Sequence, residues 1–308
     1  MSKKTVSLFL AAMMLLCCVP VFAEGGITVT DMAGREVTLA APATRIVVLM
    51  PSDCECLFAI GAGGAIVGRG TYCNYPAETA EITEVKTGAE LNLEEVLALN
   101  PDLIVMTKMA QTEEQVKALA ETAPVLVTDA QTLEDTYDCL TLLGRVTGKE
   151  AEAEKVIQDM KDRIAAVAEK AQESGMTVYF ETTPLEFGWG LYSAGKGNFM
   201  DEIGTLCGLK NIFGDVEEGG GWPVVSEEDV IAADPDWIVT IDSNGMGDTD
   251  AAAVILAREG WKDMKAVKEG HVVIVGSDEF SRPGPRLADA AEELYRLVYE
   301  AEAEKPAA

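Results

Sequence analysis

Two glutamates occupy matching positions in a segment that occurs twice in the sequence. Residues 94–106 and 228–240 align at a constant offset of 134 without a gap, and seven of the 13 aligned pairs are identical. Glu94 begins the first copy and Glu228 begins the second. Exposed carboxylates at such fixed positions can form ion pairs with a basic surface, where they set the register of an encounter. The repeat therefore predicts two docking points, one on each half of the molecule.

The second acid of each copy has a different expected duty. Glu95 and Asp229 follow three residues after Asn92 and Ser226, which are good N-cap residues. These pairs are expected to cap the helices that begin there. Any acid in a first turn interacts favourably with the helix dipole, but that effect does not require an additional acid at the same position in both copies.

Histidine and cysteine provide little basis for catalysis or metal binding. His271 is the single histidine and stands at a predicted strand start, where a structural role is expected. One histidine supports neither a Ser-His-Asp arrangement nor the cluster of a zinc or manganese receptor. Beyond residue 23 the cysteines are Cys54, Cys56, Cys73, Cys139 and Cys207. Their odd number leaves at least one outside any intramolecular disulfide, and we expect one bridge at most. We assign no catalytic residue, no metal ligand and no resident cofactor.

An α/β framework must position these residues. Short apolar strands alternate with helical segments in both halves, which predicts parallel sheets, and Ser52 with Glu55 predicts a capping box at the first helix. The repeats predict two similar lobes with a central cleft. Residues 149–174 contain neither Gly nor Pro and have helical periodicity. We predict two Rossmann-like lobes, residues 24–148 and 175–308, joined by this one long rigid helix.

Residues 1–23 have the pattern of a secretory signal peptide. Two lysines precede an apolar stretch, and small residues lead up to a predicted cleavage site after Ala23. Lipid attachment at Cys17 or Cys18 is the alternative, although the neighbouring residues fit a lipobox poorly. We predict an exported protein, in the periplasm or, if lipidated, on the outer face of the cytoplasmic membrane.

The charge of the chain limits its partners. The sequence contains 52 acidic and 24 basic residues, and loss of the two lysines in the leader takes the formal charge from −28 to about −30. Such a chain repels phosphate backbones, so nucleic acid is excluded as an expected partner.

Six short motifs, taken in order and spacing, carry a family resemblance. They are Pro51-Ser52 followed by Glu55, Tyr72-Cys73-Asn74-Tyr75-Pro76, Asn92-Leu93-Glu94, Leu99-Asn100-Pro101-Asp102-Leu103-Ile104, Trp222-Pro223-Val224-Val225-Ser226 and Arg282-Pro283-Gly284-Pro285-Arg286. The chain resembles the periplasmic substrate-binding proteins of ABC importers for cobalamin, iron-siderophore and haem. The resemblance implies that one glutamate on each lobe docks onto arginines of the permease dimer, and the matching positions are Glu94 and Glu228.

The ligand is expected in the cleft, at loops that follow the strands. By position the candidate ligand-binding residues are Ser52, Asp53, Tyr72, Tyr75, Thr107, Trp189, Trp222 and Arg282. Aromatic rings suit a flat corrin or porphyrin and catecholate rings alike, and Arg282 suits an anionic siderophore or a propionate. Trp222 follows three glycines and stands at the position that faces ligand in the family.

Two functional hypotheses follow. The first is a monomeric extracytoplasmic solute-binding protein, not an enzyme, that captures a ferric siderophore, cobalamin or haem and delivers it to an ABC transporter permease. Thr107 and Gly88 stand where some cobalamin binders have Trp, whereas residues 72–76 favour cobalamin. The alternative is an exported α/β enzyme that uses carboxylate acid/base chemistry. It requires acids that converge in one cleft, whereas Glu94 and Glu228 are expected on separate lobes.

Overall fold

Two parallel sheets from different halves of the chain form the framework. The computed structural model describes residues 26–109, 112–171, 174–183, 185, 188, 190–242 and 250–300. The strands are β1 (Ile27–Thr30), β2 (Glu36–Leu39), β3 (Ile46–Val48), β4 (Ile66–Gly70), β5 (Glu84–Val85), β6 (Leu103–Thr107), β7 (Val125–Thr128), β8 (Thr177–Glu181), β9 (Leu191–Tyr192), β10 (Lys210–Asn211), β11 (Val224–Val225), β12 (Trp237–Ile241) and β13 (Val272–Val275). The N-terminal sheet has the order β5-β4-β3-β6-β7 and the C-terminal sheet has the order β10-β8-β12-β13, with every described pairing parallel. Two antiparallel pairs, β1-β2 and β9-β11, complete the described strands.

Helices connect the strands. In chain order they are α1 (Pro51–Ala59), α2 (Leu93–Ala98), α3 (Glu113–Ala120), α4 (Leu133–Thr147), α5 (Glu150–Lys170), α6 (Phe199–Leu206), α7 (Glu227–Ala233), α8 (Ala251–Ala257), α9 (Lys265–Glu269), α10 (Ser277–Ser281) and α11 (Leu287–Tyr295). A π-helical turn, Arg296–Glu300, follows α11. The predicted α/β class with parallel sheets is confirmed.

The two copies of the repeat adopt the same local structure. Asn92 and Ser226 accept hydrogen bonds from backbone N–H groups in the first turns of α2 and α7, which confirms both predicted caps. Each copy then turns through a residue of positive φ, Asn100 at 49° and Asp234 at 43°. Asn and Asp tolerate this left-handed region better than other residues with a side chain, and the turn leads directly into the central strands β6 and β12.

The aspartate of each Pro-Asp turn accepts backbone hydrogen bonds at the start of a neighbouring strand. The Asp102 carboxylate accepts hydrogen bonds from the backbone N–H groups of Thr44 and Arg45, immediately before β3. The Asp236 carboxylate accepts one from the N–H of Thr177, the first residue of β8, at 2.6 Å. Because β6 pairs with β3 and β12 pairs with β8, the two copies hold equivalent strands in the two sheets.

Helix α5 lies along the chain between the last strand of the N-terminal sheet and the first strand of the C-terminal sheet. Its buried residues, among them Ile157, Met160 and Ile164, belong to one hydrophobic core that includes residues of both sheets. On its other face Arg163 donates to the Glu292 carboxylate of α11 at 2.6 Å. The predicted long helix therefore exists, between 150 and 170 rather than 149 and 174.

The predicted Ser52–Glu55 capping box is wrong. Helix α1 begins at Pro51, and its N-cap residue, Met50, makes no side-chain cap bond. Proline suits a first helical position because it has no N–H to leave unpaired. Ser52 and Glu55 are instead buried inside the helix, where Glu55 has the different role described below.

Candidate ligand-binding cleft

A small cavity lies where the strands of the N-terminal sheet end. Parallel strands place their carboxyl ends on one edge of the sheet, and in open α/β folds ligands bind there. The residues that follow β3, β6 and β7 meet at this edge, together with residues from the C-terminal half. The cavity measures about 40 Å³ and is lined by Met50, Ser52, Asp53, Thr107, Met109, Thr128, Ala130, Gln131, Phe199, Trp222, Ser281 and Pro283. The structure thus brings together Ser52, Asp53, Thr107 and Trp222 of the predicted ligand-binding set.

A larger groove of about 740 Å³ adjoins this cavity. The two concavities share Met109, Gln131 and Trp222 in their walls. The groove is otherwise lined by Lys108, Asp129, Tyr192, Glu218, Gly219, Gly220 and Val224. Its volume falls within the range of about 300–1,000 Å³ typical of small-molecule sites. Exposed apolar side chains, Met109 and Val224, flank it and offer a surface that a flat apolar ligand could cover.

Trp222 joins the two halves at this groove. Its indole N–H donates to the Gln131 side-chain oxygen at 3.2 Å, and its ring meets that of Phe199 edge to face, with centroids 5.7 Å apart. The preceding residue, Gly221, has a φ of 91°, and a Cβ there would lie 3.3 Å from the backbone oxygen of Gly197. Glycine is therefore required at this turn, and the turn fixes where the indole enters the cleft.

Asp53 forms part of the cavity floor and is almost completely buried. Burial raises the pKa of its carboxyl to about 7. Its Oδ2 lies 2.9 Å from the Thr128 hydroxyl, which is also 3.2 Å from the backbone oxygen of Met106. The Thr128 hydroxyl therefore lies within donating distance of both the Asp53 carboxyl and the Met106 carbonyl.

Arg282 is already paired inside the protein. Its guanidinium contacts the buried carboxylate of Glu55 at 2.8 Å and that of Asp278 at 2.6 Å. Arg286 contacts the same Glu55 oxygen at 2.7 Å and also pairs with Glu279. Two arginines that follow the C-terminal sheet in the chain thereby enclose a carboxylate on the first helix of the N-terminal half. Arg282 contributes to this internal ion-pair network rather than to the wall of the cavity or the groove.

The predicted tyrosines lie apart from the cavity. Tyr72 and Tyr75 are among the most exposed large side chains described. The Arg286 guanidinium lies 4.3 Å from the centre of the Tyr75 ring, in the wall of a separate concavity of about 580 Å³ between α1, α5 and α11. Trp189 lies outside the described residues.

Glu94 and Glu228 both lie exposed on the surface, in the first turns of α2 and α7. In the described part of the chain neither side chain takes part in an ion pair or hydrogen bond. The neighbouring acids differ, since Glu95 accepts from the Asn92 amide and Asp229 from the Ser226 hydroxyl. The distinction made from the sequence between a capping acid and a free acid matches these contacts.

His271 has a structural environment. Its ring stacks on Trp237 at a centroid distance of 4.2 Å, and its Nδ1 lies 3.1 Å from the backbone oxygen of Asp236.

Within the described residues no group of three or more His, Cys, Asp or Glu is arranged to hold a metal ion. Nor does any described helix have the length and apolar character needed to cross a membrane.

Met109, Gln131 and Tyr192 are among the residues of the groove wall that sequence reasoning missed. A signal for two of them existed, because Met109 follows β6 and Gln131 follows β7 at the same carboxyl edge as Asp53. Tyr192 lies in the two-residue strand β9, which pairs with β11 two residues after Trp222. Such a short pairing leaves no periodicity in the sequence by which to recognise it.

Two α/β halves with a cleft at the strand ends and an aromatic residue in that cleft are the architecture of a two-lobed solute-binding protein. The periplasmic binding protein family model matches residues 46–279. The chain belongs to this family, and the resemblance stated from the motifs is confirmed.

Individual relatives agree with this assignment. The chain is 30% identical over 281 residues to an uncharacterized ABC transporter substrate-binding lipoprotein of Bacillus subtilis, covering 89% of this chain and 85% of that protein. It is 32% identical over 258 residues to the vitamin B12-binding protein of Salmonella typhimurium, covering 83% and 89%. Among solved structures, a possible iron-binding (periplasmic solute-binding) protein of Staphylococcus epidermidis matches with a TM-score of 0.71 at 27% identity, covering 83% and 99%. These proteins support the solute-binding hypothesis rather than the enzyme alternative.

Proposed function

We propose that this protein captures a corrinoid in the cleft at Trp222 and delivers it to the permease dimer of an ABC importer. The observation that carries the proposal is the groove of about 740 Å³ in which Trp222 and Gln131 meet at the carboxyl edge of the N-terminal sheet. Vitamin B12-binding proteins among the relatives support a corrinoid over haem or a ferric siderophore, which belong to the same broader class of large, metal-containing ligands. The ligand is cargo and not a cofactor.

The composition of the groove supports a neutral, bulky ligand. Lys108 is paired with Asp129 at 2.8 Å, and Arg282 is paired with Glu55 and Asp278. Lys108, which lines the groove, and Arg282, which stands between the cavity-lining residues Ser281 and Pro283, are thus both paired with carboxylates of the protein. A ligand with several carboxylates would have to compete with these pairs, whereas a corrinoid with amide side chains would use the polar and aromatic walls.

Thermal unfolding with a ligand panel tests this proposal. Cyanocobalamin, haemin and a ferric trihydroxamate are each added over a hundredfold range of concentration. A binder is stabilised by about 2.7 kcal/mol at a free ligand concentration 100 times Kd. We expect the Tm to rise with the logarithm of cyanocobalamin concentration. If the Tm rises only with haemin or only with the trihydroxamate, that compound's class is the ligand instead of a corrinoid. A constant Tm with all three would refute the proposed ligand class.

The docking part of the proposal rests on Glu94 and Glu228. Both carboxylates are exposed and lack described partners, and they occupy equivalent positions at the starts of α2 and α7. A double change to lysine should abolish ligand uptake in cells while ligand binding by the purified protein is retained. Glu113 and Glu259, which are also exposed, provide a control with the same change of net charge. Uptake that survives the Glu94 and Glu228 reversal would refute the assignment.

We further propose that the protein works as an exported monomer, with residues 24–148 and 175–308 as its lobes. The signal pattern of residues 1–23 supports export. Because one relative is a lipoprotein, the alternative to cleavage after Ala23 is lipid attachment at Cys17 or Cys18. The intact mass of the processed protein distinguishes the two, since a lipid adds acyl chains to a new N-terminal cysteine.

A further inference from the structure

A line of polar contacts runs along the wall of the groove and joins the two halves. The Lys108 ammonium contacts one oxygen of the Asp129 carboxylate at 2.8 Å. The other oxygen accepts from the Gln131 side-chain amide N–H at 3.3 Å. The Gln131 side-chain oxygen in turn accepts from the Trp222 indole N–H at 3.2 Å. All four residues line the groove, so these contacts belong to the surface that a ligand would meet.

The two neighbours of the Gln131 amide determine its orientation. A carboxylate can only accept hydrogen bonds, and an indole N–H can only donate them. The amide nitrogen must therefore face Asp129 and the amide oxygen must face Trp222. This position needs a donor on one side and an acceptor on the other, and glutamine provides both on one planar group. Glutamate would place a second carboxylate next to Asp129, and methionine would remove the acceptor of the indole N–H.

The backbone around Gln131 is held against the C-terminal half. Its carbonyl oxygen accepts from the Phe199 N–H at 2.9 Å, and the Leu133 N–H donates to the Glu202 carboxylate at 2.7 Å. Phe199 and Glu202 lie in the first turn of α6, where backbone N–H groups have no partner within the helix. The loop after β7 therefore has a fixed place against α6, which keeps the Gln131 amide within reach of Trp222.

The hydrogen bond supplies a restraint that packing of the indole does not. Trp222 is half-buried, so protein atoms surround only part of its ring, and Phe199 contacts it edge to face. A hydrogen bond is directional, because it weakens steeply as the angle at the hydrogen departs from linear. The bond to Gln131 therefore determines which face of the indole is turned towards the groove.

We propose that Gln131 is a positioning residue of the ligand cleft: its side-chain amide, itself oriented by Asp129, holds the Trp222 indole in one orientation before the ligand arrives. A wall that is already ordered lowers the cost of binding. This inference deepens the proposed function and rests on it for the ligand that enters the groove. The orientation of the indole does not depend on which ligand binds, so it can be tested separately.

Exchange of the Trp222 indole proton with solvent tests the hydrogen bond without any ligand. The four tryptophans are labelled with nitrogen-15 in the indole ring, and the Trp222 signal is the one missing from Trp222→Phe. We expect Gln131→Met to speed exchange of this proton about fivefold, a factor typical of the loss of one hydrogen bond. Equal exchange rates in this variant and the wild type would overturn the proposal.

Two controls separate a local effect from a general loosening of the fold. Gln158→Met is the matched substitution, because exposed Gln158 also donates to a carboxylate, that of Asp162 on α5, and it should leave the Trp222 signal unchanged. The Trp261 indole, which donates to Glu227 at 2.9 Å, is the internal reference. Faster exchange at Trp222 alone supports the proposal, whereas the same acceleration at Trp261 would count against it.

A charge-conserving swap of two partners provides a second variant. Gln131→Glu alone places two carboxylates side by side, and their repulsion should displace the side chain and speed exchange of the Trp222 indole proton. Adding Asp129→Asn restores a donor beside an acceptor, because the new amide can donate to the new carboxylate and accept from Lys108. We expect the double variant to exchange within about twofold of the wild type. Exchange as fast as in Gln131→Glu would contradict the proposed role of Asp129.

Binding of cyanocobalamin tests the consequence for the ligand. Dissociation constants are measured by calorimetric titration for the wild type, Gln131→Met, Trp222→Phe and their combination. We expect Gln131→Met to weaken binding about fivefold in the wild type but less than about twofold in the Trp222→Phe background, because phenylalanine has no N–H to hold. Equal factors in both backgrounds would mean that Gln131 acts independently of Trp222 and would overturn the proposal. If cyanocobalamin does not bind the wild type, the proposed ligand fails, and the exchange rates decide the positioning role.

Discussion

Replacement of Glu55 by glutamine tests whether the buried ion-pair network holds the two halves together. The Glu55 side chain is 3% exposed, and those of Arg282 and Arg286 are 12% and 11% exposed. Glutamine preserves the shape but removes the charge that faces two guanidinium groups. Loss of one partner from a buried pair costs about 3–5 kcal/mol. We expect a value near 3 kcal/mol, because Asp278 and Glu279 remain to balance the arginines.

The assay is thermal unfolding followed by circular dichroism at pH 7. At roughly 2–4 °C per kcal/mol for a domain of 150–250 residues, Glu55→Gln should lower the Tm by about 6–12 °C. The matched control is Glu113→Gln, in which the side chain is 86% exposed and its pair with Lys117 lies on the surface. Exposed pairs contribute less than about 1 kcal/mol, so this variant should shift the Tm by no more than about 4 °C.

A double variant separates charge from shape. If unbalanced positive charge causes the loss, the combination of Glu55→Gln with Arg286→Met should cost less than the sum of the two single changes. The reasoning would be refuted if Glu55→Gln behaved like Glu113→Gln, or if the two single effects simply added. Either result would mean that the network is solvated well enough to tolerate an unpaired arginine.

Three further predictions follow from the cleft and the repeat. Burial raises the pKa of Asp53 to about 7 from its ordinary value of 3.8, so its contribution to the free energy of unfolding is complete below about pH 4 and is lost as the pH rises through 7. Between pH 4 and pH 7 the free energy of unfolding of the wild type should fall by about 4 kcal/mol relative to that of Asp53→Asn. Urea unfolding measured across pH 4–8 checks this, and parallel plots of free energy against pH for the two proteins would contradict it. Trp222→Ala should weaken binding of the identified ligand at least tenfold, as measured by calorimetric titration. Trp222→Phe should have an intermediate effect, because it retains an aromatic ring but not the indole N–H. An unchanged Kd in Trp222→Ala would mean that Trp222 does not contact the ligand. Asp102→Asn should cost about 1.5–3 kcal/mol in urea unfolding, because a charged acceptor of hydrogen bonds from two successive residues becomes neutral, and a loss below about 0.5 kcal/mol would refute that role.

Local features of the fold were predictable from the sequence because their causes lie within a few residues of each other. The caps at Asn92 and Ser226 need only a short polar side chain ahead of an amphipathic run, and both form as predicted. Helix α5 follows from a long stretch without Gly or Pro. The capping box at Ser52 failed because Pro51 already provides a favourable first helical residue, and because Glu55 has distant partners that no local pattern reveals.

The cleft was only partly predictable for the same physical reason. Strand ends indicate where Asp53 and Thr107 lie, since parallel strands of one sheet share a carboxyl edge. The contact between Trp222 and Gln131 joins residues 91 positions apart, and the pairing of Arg282 with Glu55 spans 227 positions. Contacts of this kind depend on how the two halves pack, which the sequence pattern of either half does not encode. The assignment of Arg282, Tyr72 and Tyr75 to the ligand stays a prediction, as does that of Trp189.

The equivalence of the two repeats has a consequence for the symmetry of transport. Glu94 and Glu228 each precede a helix, a left-handed turn and a central strand that correspond in the two sheets. A dimer of identical permease subunits has a twofold axis and offers two identical sites. If the two glutamates dock as proposed, the protein can engage the dimer in either of two orientations related by half a turn. Both would place the cleft over the same axis, so the cargo would reach the translocation path whichever end of the protein arrived at which subunit.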